Sequence, residues 1–207
     1  MKKISRREME ERKNDGKLFV DTFGGMASAL VTKTAVGRFN RSWSINLPKR
    51  FILEKIIFGH FGKSWIEPPL NVCVGKNTHI GDGCYFNFNT VLIDDGRIDI
   101  EDNVLFGANC TLITTGHPVH PDLRPNGEMY CAPIRIKKGA WLCSNVTVLP
   151  GVTVGENSVI GAGSVVTHDI PANVVAFGNP CRVQREIDEN DKIYYYKERR
   201  IEYGAIE

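Results

Sequence analysis

The chain has 207 residues, of which 42% are hydrophobic and 24% charged, a composition that predicts one globular domain and excludes a fibrous or disordered chain. Its 26 Lys and Arg nearly balance 24 Asp and Glu, and the net charge of +2 gives no reason to expect nucleic acid or a membrane as the main partner. The charged start, MKKISRREMEERKNDGKLF, and the remainder of the chain lack an apolar run typical of a signal peptide or a membrane span, so we expect a cytoplasmic protein. Six dispersed cysteines without a C-x-x-C pair argue against a zinc knuckle and a disulfide framework, and most should be buried thiols.

Residues 1–62 lack the repeat that dominates the rest of the chain, and we expect them to form a small helical cap. Ser5 followed by Glu8 is typical of a capping box at the start of a first helix. The segment PKRFILEKIIFGHF, residues 48–61, predicts a second, amphipathic helix that packs on the main domain. The apolar residues expected on its packing face are Phe51, Ile52, Ile56 and Phe58.

From Val74 onward an apolar residue recurs every six positions, a period that fits neither an exposed strand nor an α-helix. The repeat slips by two residues after Leu92 and steps by 24 residues after Leu112. The thirteen apolar positions are Val74, Ile80, Phe86, Leu92, Ile100, Phe106, Leu112, Ile136, Leu142, Val148, Val154, Ile160 and Val166. This period is typical of a parallel β-solenoid whose successive coils share one core.

A second column of small or β-branched residues follows each apolar position by four, wherever the repeat continues. It consists of Thr78, Cys84, Thr90, Gly96, Val104, Cys110, Gly116, Ala140, Val146, Val152, Ser158 and Ser164. One large and one small inward residue per six is what stacked, flat coils need in a narrow core. Glycines that directly follow an apolar position, such as Gly75 after Val74 and Gly107 after Phe106, indicate turns that need unusual dihedral angles; the others are Gly81, Gly155 and Gly161. The sequence thus predicts an all-β fold, a parallel β-helix of hexapeptides over residues 63–186, with a hand that periodicity does not give.

Two segments interrupt or follow this solenoid. Residues 115–133, TGHPVHPDLRPNGEMYCAP, form an extended loop between two runs of repeats, and long structured loops on rigid scaffolds are disproportionately functional. Residues 187–207 are predicted to form a charged, partly helical tail.

Several segments together carry a family resemblance: GKLFVD, WIEPPL, YFNFNTVLIDD, TTGHPVHPDLRPNGEMY, PGVTVGENSVIGAGSVVTHDIP and GNPCRV. Over nearly the whole chain the sequence resembles the hexapeptide-repeat sugar O-acetyltransferases, first the galactoside type and then the maltose type. The resemblance implies a left-handed β-helix and a homotrimer with active sites in clefts between subunits. There acetyl-coenzyme A (acetyl-CoA), as co-substrate and without a required metal, would give its acetyl group directly to a sugar hydroxyl, the 6-hydroxyl.

The resemblance also implies roles for individual residues. Acetyl transfer needs a base that titrates near neutral pH, and His117 falls on the family's general-base position. Asn87 matches a residue that binds the acceptor and stabilises the transition state. From the residues alone, a surface loop histidine at His117 and a turn residue at Asn87 are the favoured interpretations. The implied acceptor contacts are Asp21, Cys73, Asn87, Asp95 and Met129, with Cys73 standing where galactoside enzymes often have serine.

A second implied set would hold coenzyme A. Ser144, Ala162 and Thr167 match positions that line the groove for its pantetheine arm, and Trp141 is expected to wall the thioester end. Arg182 and Arg185 match phosphate-facing positions, and His168 stands where relatives often carry lysine.

Three alternatives stay open at this point. A γ-type carbonic anhydrase-like zinc enzyme uses the same scaffold, although here only His117 and His120 are close in sequence. A covalent cysteine mechanism is a variant, but Cys84 and Cys110 fall in the small inward column without a flanking histidine. A non-catalytic solenoid scaffold is the third.

Overall fold

The computed structural model describes residues 5–20, 24–42 and 47–201. In these ranges the helices are α1 (Arg6–Asn14), α2 (Gly24–Asn40) and α3 (Leu47–Ile57), with short 3-10 turns at Pro121–Leu123 and Glu189–Lys192. The strands, in chain order, are β1 (Phe19–Val20), β2 (His60–Phe61), β3 (Trp65–Ile66), β4 (Leu70–Val72), β5 (Thr78–Ile80), β6 (Tyr85–Phe86), β7 (Thr90–Ile93), β8 (Ile98–Ile100), β9 (Leu105–Phe106), β10 (Thr111–Ile113), β11 (Thr115–Gly116), β12 (Glu128–Cys131), β13 (Ile134–Ile136), β14 (Trp141–Leu142), β15 (Thr147–Val148), β16 (Thr153–Val154), β17 (Val159–Ile160), β18 (Val165–Val166), β19 (Val174–Gly178), β20 (Cys181–Glu186), β21 (Tyr194–Tyr196) and β22 (Arg199–Arg200).

Most strands build three parallel sheets that form the faces of a triangular prism. The first sheet contains β2, β5, β8, β13 and β16; the second β3, β6, β9, β14, β17 and β19; the third β4, β7, β10, β15 and β18. The chain visits the sheets in that order, so each circuit is one coil, and Leu142 pairs with Ile160, 18 residues later. Strand β20 turns back antiparallel to β19 at the end of the second sheet. The predicted parallel β-solenoid is confirmed.

The solenoid core consists of the stacked large residues of successive coils. All the predicted apolar positions are buried except Val74, and the rings of Phe86 and Phe106 stack with centroids 4.5 Å apart. The prediction for Val74 is wrong by two residues, because Val72 is the residue in register with Leu92. The turn after Val72 is longer than a standard one, and it is organised by a buried carboxylate.

That carboxylate belongs to Asp94. It accepts hydrogen bonds from the backbone N–H groups of Val74 and Gly75, both at 2.7 Å, and from the Thr78 hydroxyl at 2.8 Å. Burial raises the pKa of Asp94, while these donors act in the opposite direction. Asp94 is therefore a structural residue of this turn.

Most glycines predicted to adopt unusual dihedral angles in the turns between sheets do not adopt them. Of the glycines named for unusual dihedral angles, Gly75 has a positive φ of +79°, but a Cβ at Gly107 would instead lie 2.4 Å from the Ser144 nitrogen. Glycine is needed there because adjacent coils approach closely. The left-handed positions of the solenoid turns are shared by glycines that were not predicted, such as Gly83 and Gly163, and by asparagines. Two of these asparagines, Asn89 and Asn109, join their side chains in a ladder at 3.0 Å.

The helical cap was predicted in outline, and its packing differs from the expectation. The Ser5 hydroxyl accepts from the Glu8 N–H at 3.2 Å and caps α1, as expected; α2 was not predicted. Helix α3 forms, but its predicted apolar face is exposed, at 47% for Phe51 and 60% for Ile52. Ile56 is also exposed, whereas Phe58 is buried.

Helix α3 docks instead through the face that carries Arg50. This guanidinium lies 4.7 Å from the ring centroids of both Phe39 and Trp65 and donates to the Ile66 carbonyl. The stem and the planar head of an arginine can be buried between aromatic rings, which explains why a charged residue faces inward.

The extended loop and the tail both contain hairpins. Strands β11 and β12 pair antiparallel within residues 115–133, and β1 joins β12, which ties the N-terminal region to the loop. In the tail the predicted helical part is a short 3-10 turn at Glu189–Lys192, followed by the β21–β22 hairpin. Over the three described ranges, no helix is long and apolar enough to cross a membrane.

Candidate active site

One group of predicted site residues lies at the corner where the third sheet leads into the first. Cys73 follows β4, Asp95 follows β7, and His117 follows β11 in the loop that leaves the same corner after β10. The Cys73 thiol lies 3.8 Å from Asp95 Oδ1, in a donor geometry. Burial, followed by the charges of Asp95 and Asp94, raises the pKa of Cys73 to about 11. The thiol therefore stays neutral at physiological pH and is a poor candidate for a nucleophile.

His117 is held by the strand opposite its own. Its Nδ1 lies 2.7 Å from the main-chain oxygen of Glu128. A carbonyl can only accept, so Nδ1 carries the proton and the neutral imidazole keeps its lone pair on Nε2. An imidazole with a fixed Nδ1–H and an accepting Nε2 can take a proton from a hydroxyl.

The hairpin register explains how this contact forms. Gly116 pairs with Tyr130, and a Cβ at Gly116 would lie 2.6 Å from the Tyr130 hydroxyl oxygen, so a side chain there would displace the Tyr130 ring. The next residue, His117, then crosses back to Glu128. Sequence reasoning missed Glu128, because the group that acts is a carbonyl, which every residue carries.

Strand β1 brings the N-terminal region to the same hairpin. Phe19 pairs with Met129 and Val20 pairs with Glu128. Met129 packs against the buried cluster that contains Phe19 and Cys131. Asp21, the next residue in the chain, lies outside the described residues.

A second group of predicted residues lies at the corner between the second and third sheets. Ser144 and Ala162 follow β14 and β17 in consecutive coils, and the Gly163 N–H donates to the Ser144 carbonyl at 3.0 Å. Small residues, including Gly107 and Gly161, leave the main chain along this corner uncovered by bulky side chains. Asn87 occupies the same corner, two strand spacings from Ser144 and three, or about 14 Å, from Ala162.

Asn87 and Trp141 present groups that suit the predicted roles. The Asn87 side-chain oxygen accepts from the Phe88 N–H at 2.8 Å, so the side chain has its NH₂ donors left to offer a ligand. Trp141 lies on the outer face of the second sheet and is 47% exposed.

The remaining predicted coenzyme A residues lie near the end of the prism. Thr167 and His168 follow β18, with the Thr167 hydroxyl 2.8 Å from His168 Nδ1. His168 and Arg182 line a cleft of about 350 Å³. The Arg182 guanidinium donates to the Cys181 carbonyl at 2.8 Å.

Arg185 is more tightly engaged than Arg182. Its two terminal nitrogens each lie 2.7 Å from an Asp191 carboxylate oxygen, and this pairing holds the pKa of Asp191 at about 2. A guanidinium occupied in a bidentate pair offers fewer donors to a phosphate.

The predicted residues thus fall on two different corners of one chain. His117, Cys73 and Asp95 share one corner, and Asn87 lies on another. All six cysteines are free thiols, and four of them are buried, as predicted. Among the described residues, no group of three His, Cys, Asp or Glu is placed to hold a metal ion, and no contact there favours the zinc or scaffold alternative.

Comparisons with known proteins identify the family. Residues 133–168 match the family "Bacterial transferase hexapeptide (six repeats)" and residues 97–119 match "Hexapeptide repeat of succinyl-transferase". The chain is 50% identical to galactoside O-acetyltransferase of Escherichia coli (strain K12), covering 94% of this chain and 97% of that protein. The chain belongs to the hexapeptide-repeat sugar O-acetyltransferases. This membership confirms the predicted enzyme class and its co-substrate, acetyl-CoA.

Solved structures of this family confirm the fold. A galactoside acetyltransferase in complex with coenzyme A superposes with a TM-score of 0.89 at 49% identity, covering 94% of this chain and 98% of that one. A maltose O-acetyltransferase from Clostridium difficile 630 gives a TM-score of 0.84 at 35% identity, covering 87% and 98%. The hexapeptide-repeat acetyltransferase described here therefore has the left-handed β-helix that the resemblance implied.

Proposed function

We propose that the protein transfers an acetyl group from acetyl-CoA directly to the 6-hydroxyl of a galactoside, glucoside or maltose-type sugar, with His117 as general base. The names of its relatives, galactoside and maltose O-acetyltransferases, support this acceptor class. The observation that carries the proposal is the 2.7 Å contact between His117 Nδ1 and the Glu128 carbonyl, which leaves Nε2 as a proton acceptor.

In the proposed reaction, Nε2 of His117 removes the hydroxyl proton as the sugar oxygen attacks the thioester carbonyl carbon. The negative charge that develops on the former carbonyl oxygen is stabilised by the amide donors of Asn87. When this intermediate collapses, the carbon–sulfur bond breaks and the coenzyme A sulfur takes the proton from the imidazolium. The acetylated sugar and free coenzyme A result, with His117 returned to its neutral form.

The acceptor is proposed to bind at the corner that carries Cys73 and Asp95. Carboxylates of Asp95 and Asp21 accept hydrogen bonds from sugar hydroxyls, and Met129 contacts the ring. Cys73 stands where serine is frequent in the galactoside enzymes, and its neutral thiol is a weaker donor than a hydroxyl. We therefore expect Cys73 to weaken the preference for galactosides.

Coenzyme A is proposed to lie along the bare corner lined by Ser144 and Ala162, with Trp141 beside the thioester. Thr167 and His168 follow β18 of the third sheet and so lie on the corner of His117, from which they would contact the arm held by a neighbouring copy. Arg182 is the better candidate for a phosphate contact, because Arg185 is paired with Asp191.

A complete site requires two chains in this proposal. His117 and Asn87 occupy different corners of one prism, and a neighbouring copy can bring the missing corner to each site. We infer a homotrimer with three such sites, since three-fold symmetry closes a ring of identical contacts. The free thiols and the use of acetyl-CoA support a cytoplasmic location.

The proposal is tested by release of free coenzyme A thiol from acetyl-CoA with a panel of galactosides, glucosides and maltose. We expect acceptor-dependent release that falls by about 10² to 10⁴ in His117→Ala, with coenzyme A affinity unchanged. His120→Ala, in the same loop and exposed, is the matched control and should keep full activity. Equal turnover in wild type and His117→Ala would overturn the assignment of the base.

A further inference from the structure

A cavity of about 220 Å³ lies between α1 and the turn that connects β7 to β8, next to the proposed acceptor corner. Glu10, Lys13 and Asn14 line it from the helix, and because they are spaced by three and four residues they share one face of α1. The opposite wall consists of Asn77, His79, Asp95, Gly96 and Arg97. All these residues belong to one chain, and only Asp95 has a role in the proposed mechanism.

Asp95 is shared between this cavity and the acceptor corner. Its Oδ1 lies 3.8 Å from the Cys73 thiol at that corner, and the residue also lines the cavity. In the proposed reaction a sugar ring contacts Asp95 while its 6-hydroxyl meets His117. A second unit linked to that ring therefore has the cavity within reach.

The lining favours a neutral ligand that is rich in hydroxyl groups. Two carboxylates balance two cations, so the charges select neither an anion nor a cation. These groups belong to Glu10, Asp95, Lys13 and Arg97. None of the described residues that line the cavity has a hydrocarbon side chain, which disfavours an apolar aglycone. Each sugar hydroxyl both donates and accepts, and the lining offers carboxylate oxygens, an ammonium group and amides to match it.

Two side chains on α1 are available to such a ligand. Within the described part of the chain, the side chains of Glu10 and Asn14 make no hydrogen bond and no ion pair. Glu11 differs, because it is paired with Arg7 at 2.9 Å and does not line the cavity. A ligand can thus bind Glu10 and Asn14 without first displacing a protein contact.

The walls of the cavity are fixed before any ligand binds. Asn77 Nδ2 donates to the carbonyls of Asp94 and Asp95, both at 2.9 Å. On the other side, Arg12 Nε donates to the Leu18 carbonyl at 2.8 Å and holds the end of α1. A preformed site loses little conformational entropy when a ligand binds, so its polar contacts contribute to affinity.

We propose that this cavity binds the second sugar ring of a disaccharide or longer acceptor, whose first ring is acetylated at the neighbouring corner. The inference rests on the proposed function for the place of that first ring. In it, Glu10 and Asn14 bind hydroxyls of the second ring, and an oligosaccharide is a better acceptor than a simple glycoside.

The test compares two acceptors that share the reacting glucose ring, maltose and methyl α-glucoside. Glu10→Ala should raise the KM for maltose about tenfold, as expected from the loss of a hydrogen bond to a charged group, and leave kcat unchanged. The KM for methyl α-glucoside should not change, since this acceptor has no second ring. Glu11→Ala, which leaves the cavity intact, is the matched control and should behave as wild type with both acceptors.

A blocking variant tests the cavity in a second way. Asn14→Trp places a large ring in it and should raise the KM for maltose to that for methyl α-glucoside, with an unchanged melting temperature because Asn14 is exposed. An unchanged KM for maltose in both variants would overturn the assignment of the cavity. An equal rise for both acceptors would overturn it too, since the variants would then act on the first ring.

Binding measurements separate this inference from the acetyl-transfer proposal. NMR titrations with maltose and with methyl α-glucoside need no acetyl donor, so they report on the cavity even if neither sugar is acetylated. Maltose should bind the wild type about tenfold more tightly, and Asn14→Trp should abolish the difference. Tighter binding of maltose without acetylation of either sugar would refute acetyl transfer and support the cavity. Equal dissociation constants for the two sugars in the wild type would overturn the cavity assignment.

Discussion

The imidazole Nδ1 of His117 lies 2.7 Å from the main-chain carbonyl oxygen of Glu128, on the strand that pairs with its own. In many hydrolases a carboxylate orients the catalytic histidine. Here a neutral backbone group does so, and the position of that group depends on the register of the β11–β12 hairpin. The orientation of the proposed base is therefore a property of the hairpin rather than of a replaceable side chain.

This contact predicts the tautomer of His117. The neutral ring should carry its proton on Nδ1, because the Glu128 carbonyl can only accept. Long-range ¹H–¹⁵N NMR correlation spectra of the imidazole nitrogens measure this directly, with His117→Ala used to assign the signals. His120 is the comparison, and an Nε2–H tautomer at His117 would contradict the prediction.

The two arginines on β20 should differ in their effect on coenzyme A. Arg182→Ala should raise the KM for acetyl-CoA severalfold to the same extent with every acceptor, because it removes a charge-assisted contact to a phosphate. Arg185→Ala should act mainly on the tail, since it breaks the pair with Asp191. Steady-state kinetics and hydrogen exchange of residues 188–201 measure the two effects, and unchanged kinetics in Arg182→Ala would remove that residue from the site.

Glu54 should make stability depend on pH. Burial raises the pKa of Glu54 from 4.5 to about 7, although Arg50 acts in the opposite direction. The carboxyl is thus more easily protonated in the folded state, and its contribution to stability, complete below about pH 4.5, is lost as the pH rises through 7. Glu54→Gln removes this loss.

Urea unfolding of wild type and Glu54→Gln at pH 5 and pH 8 measures this contribution. The stability of Glu54→Gln relative to wild type should increase by about 1–3 kcal/mol between the two values. Parallel pH profiles for the two proteins would show that Glu54 does not carry the effect.

Close approach of the coils at Gly107 should make this position intolerant of any side chain. In Gly107→Ala the new Cβ would lie 2.4 Å from the Ser144 nitrogen, and the shift this requires should cost about 1–3 kcal/mol. It should also raise the KM for acetyl-CoA, because Ser144 lines the proposed groove.

The control is Gly37→Ala in α2, where only the Arg41 side chain comes within 3.8 Å of the new Cβ. This change should stabilise the protein by about 0.5–1 kcal/mol. Equal melting temperatures for the two variants would contradict the explanation that close coil approach requires glycine at position 107.

The solenoid was predictable because its determinants are local and repeated. Each coil needs one large inward residue per face, and the six-residue period therefore appears in the sequence and in the buried column alike. The family motifs likewise directed attention to His117 and Asn87 before any contact was known. The period wrongly predicted Val74 as a core residue. The Asp94 carboxylate from the next coil stabilises a longer turn at this point, and the period does not reveal that turn.

The cap shows a different limit. The apolar pattern of α3 predicted Phe51 and Ile52 as the packing face, yet Arg50 is buried between Phe39 and Trp65. Two aromatic rings from distant parts of the chain create that site, and neither is visible in the local pattern around residue 50. The apolar period therefore predicted that α3 is a helix, but it did not predict which face of α3 packs against the rest of the protein.

By itself the sequence determined the repeat, the stacked core, the helical cap and the identities of the groups able to do acid–base and acyl-transfer chemistry. Only the tertiary structure decided how these groups are disposed: the Glu128 carbonyl against His117, the thiol of Cys73 against Asp95, and Asn87 on a separate corner. The physical reason is that side-chain chemistry and the repeat period depend only on which residue stands at each position. Hairpin register, coil stacking and the choice of corner depend on contacts between segments far apart in the chain.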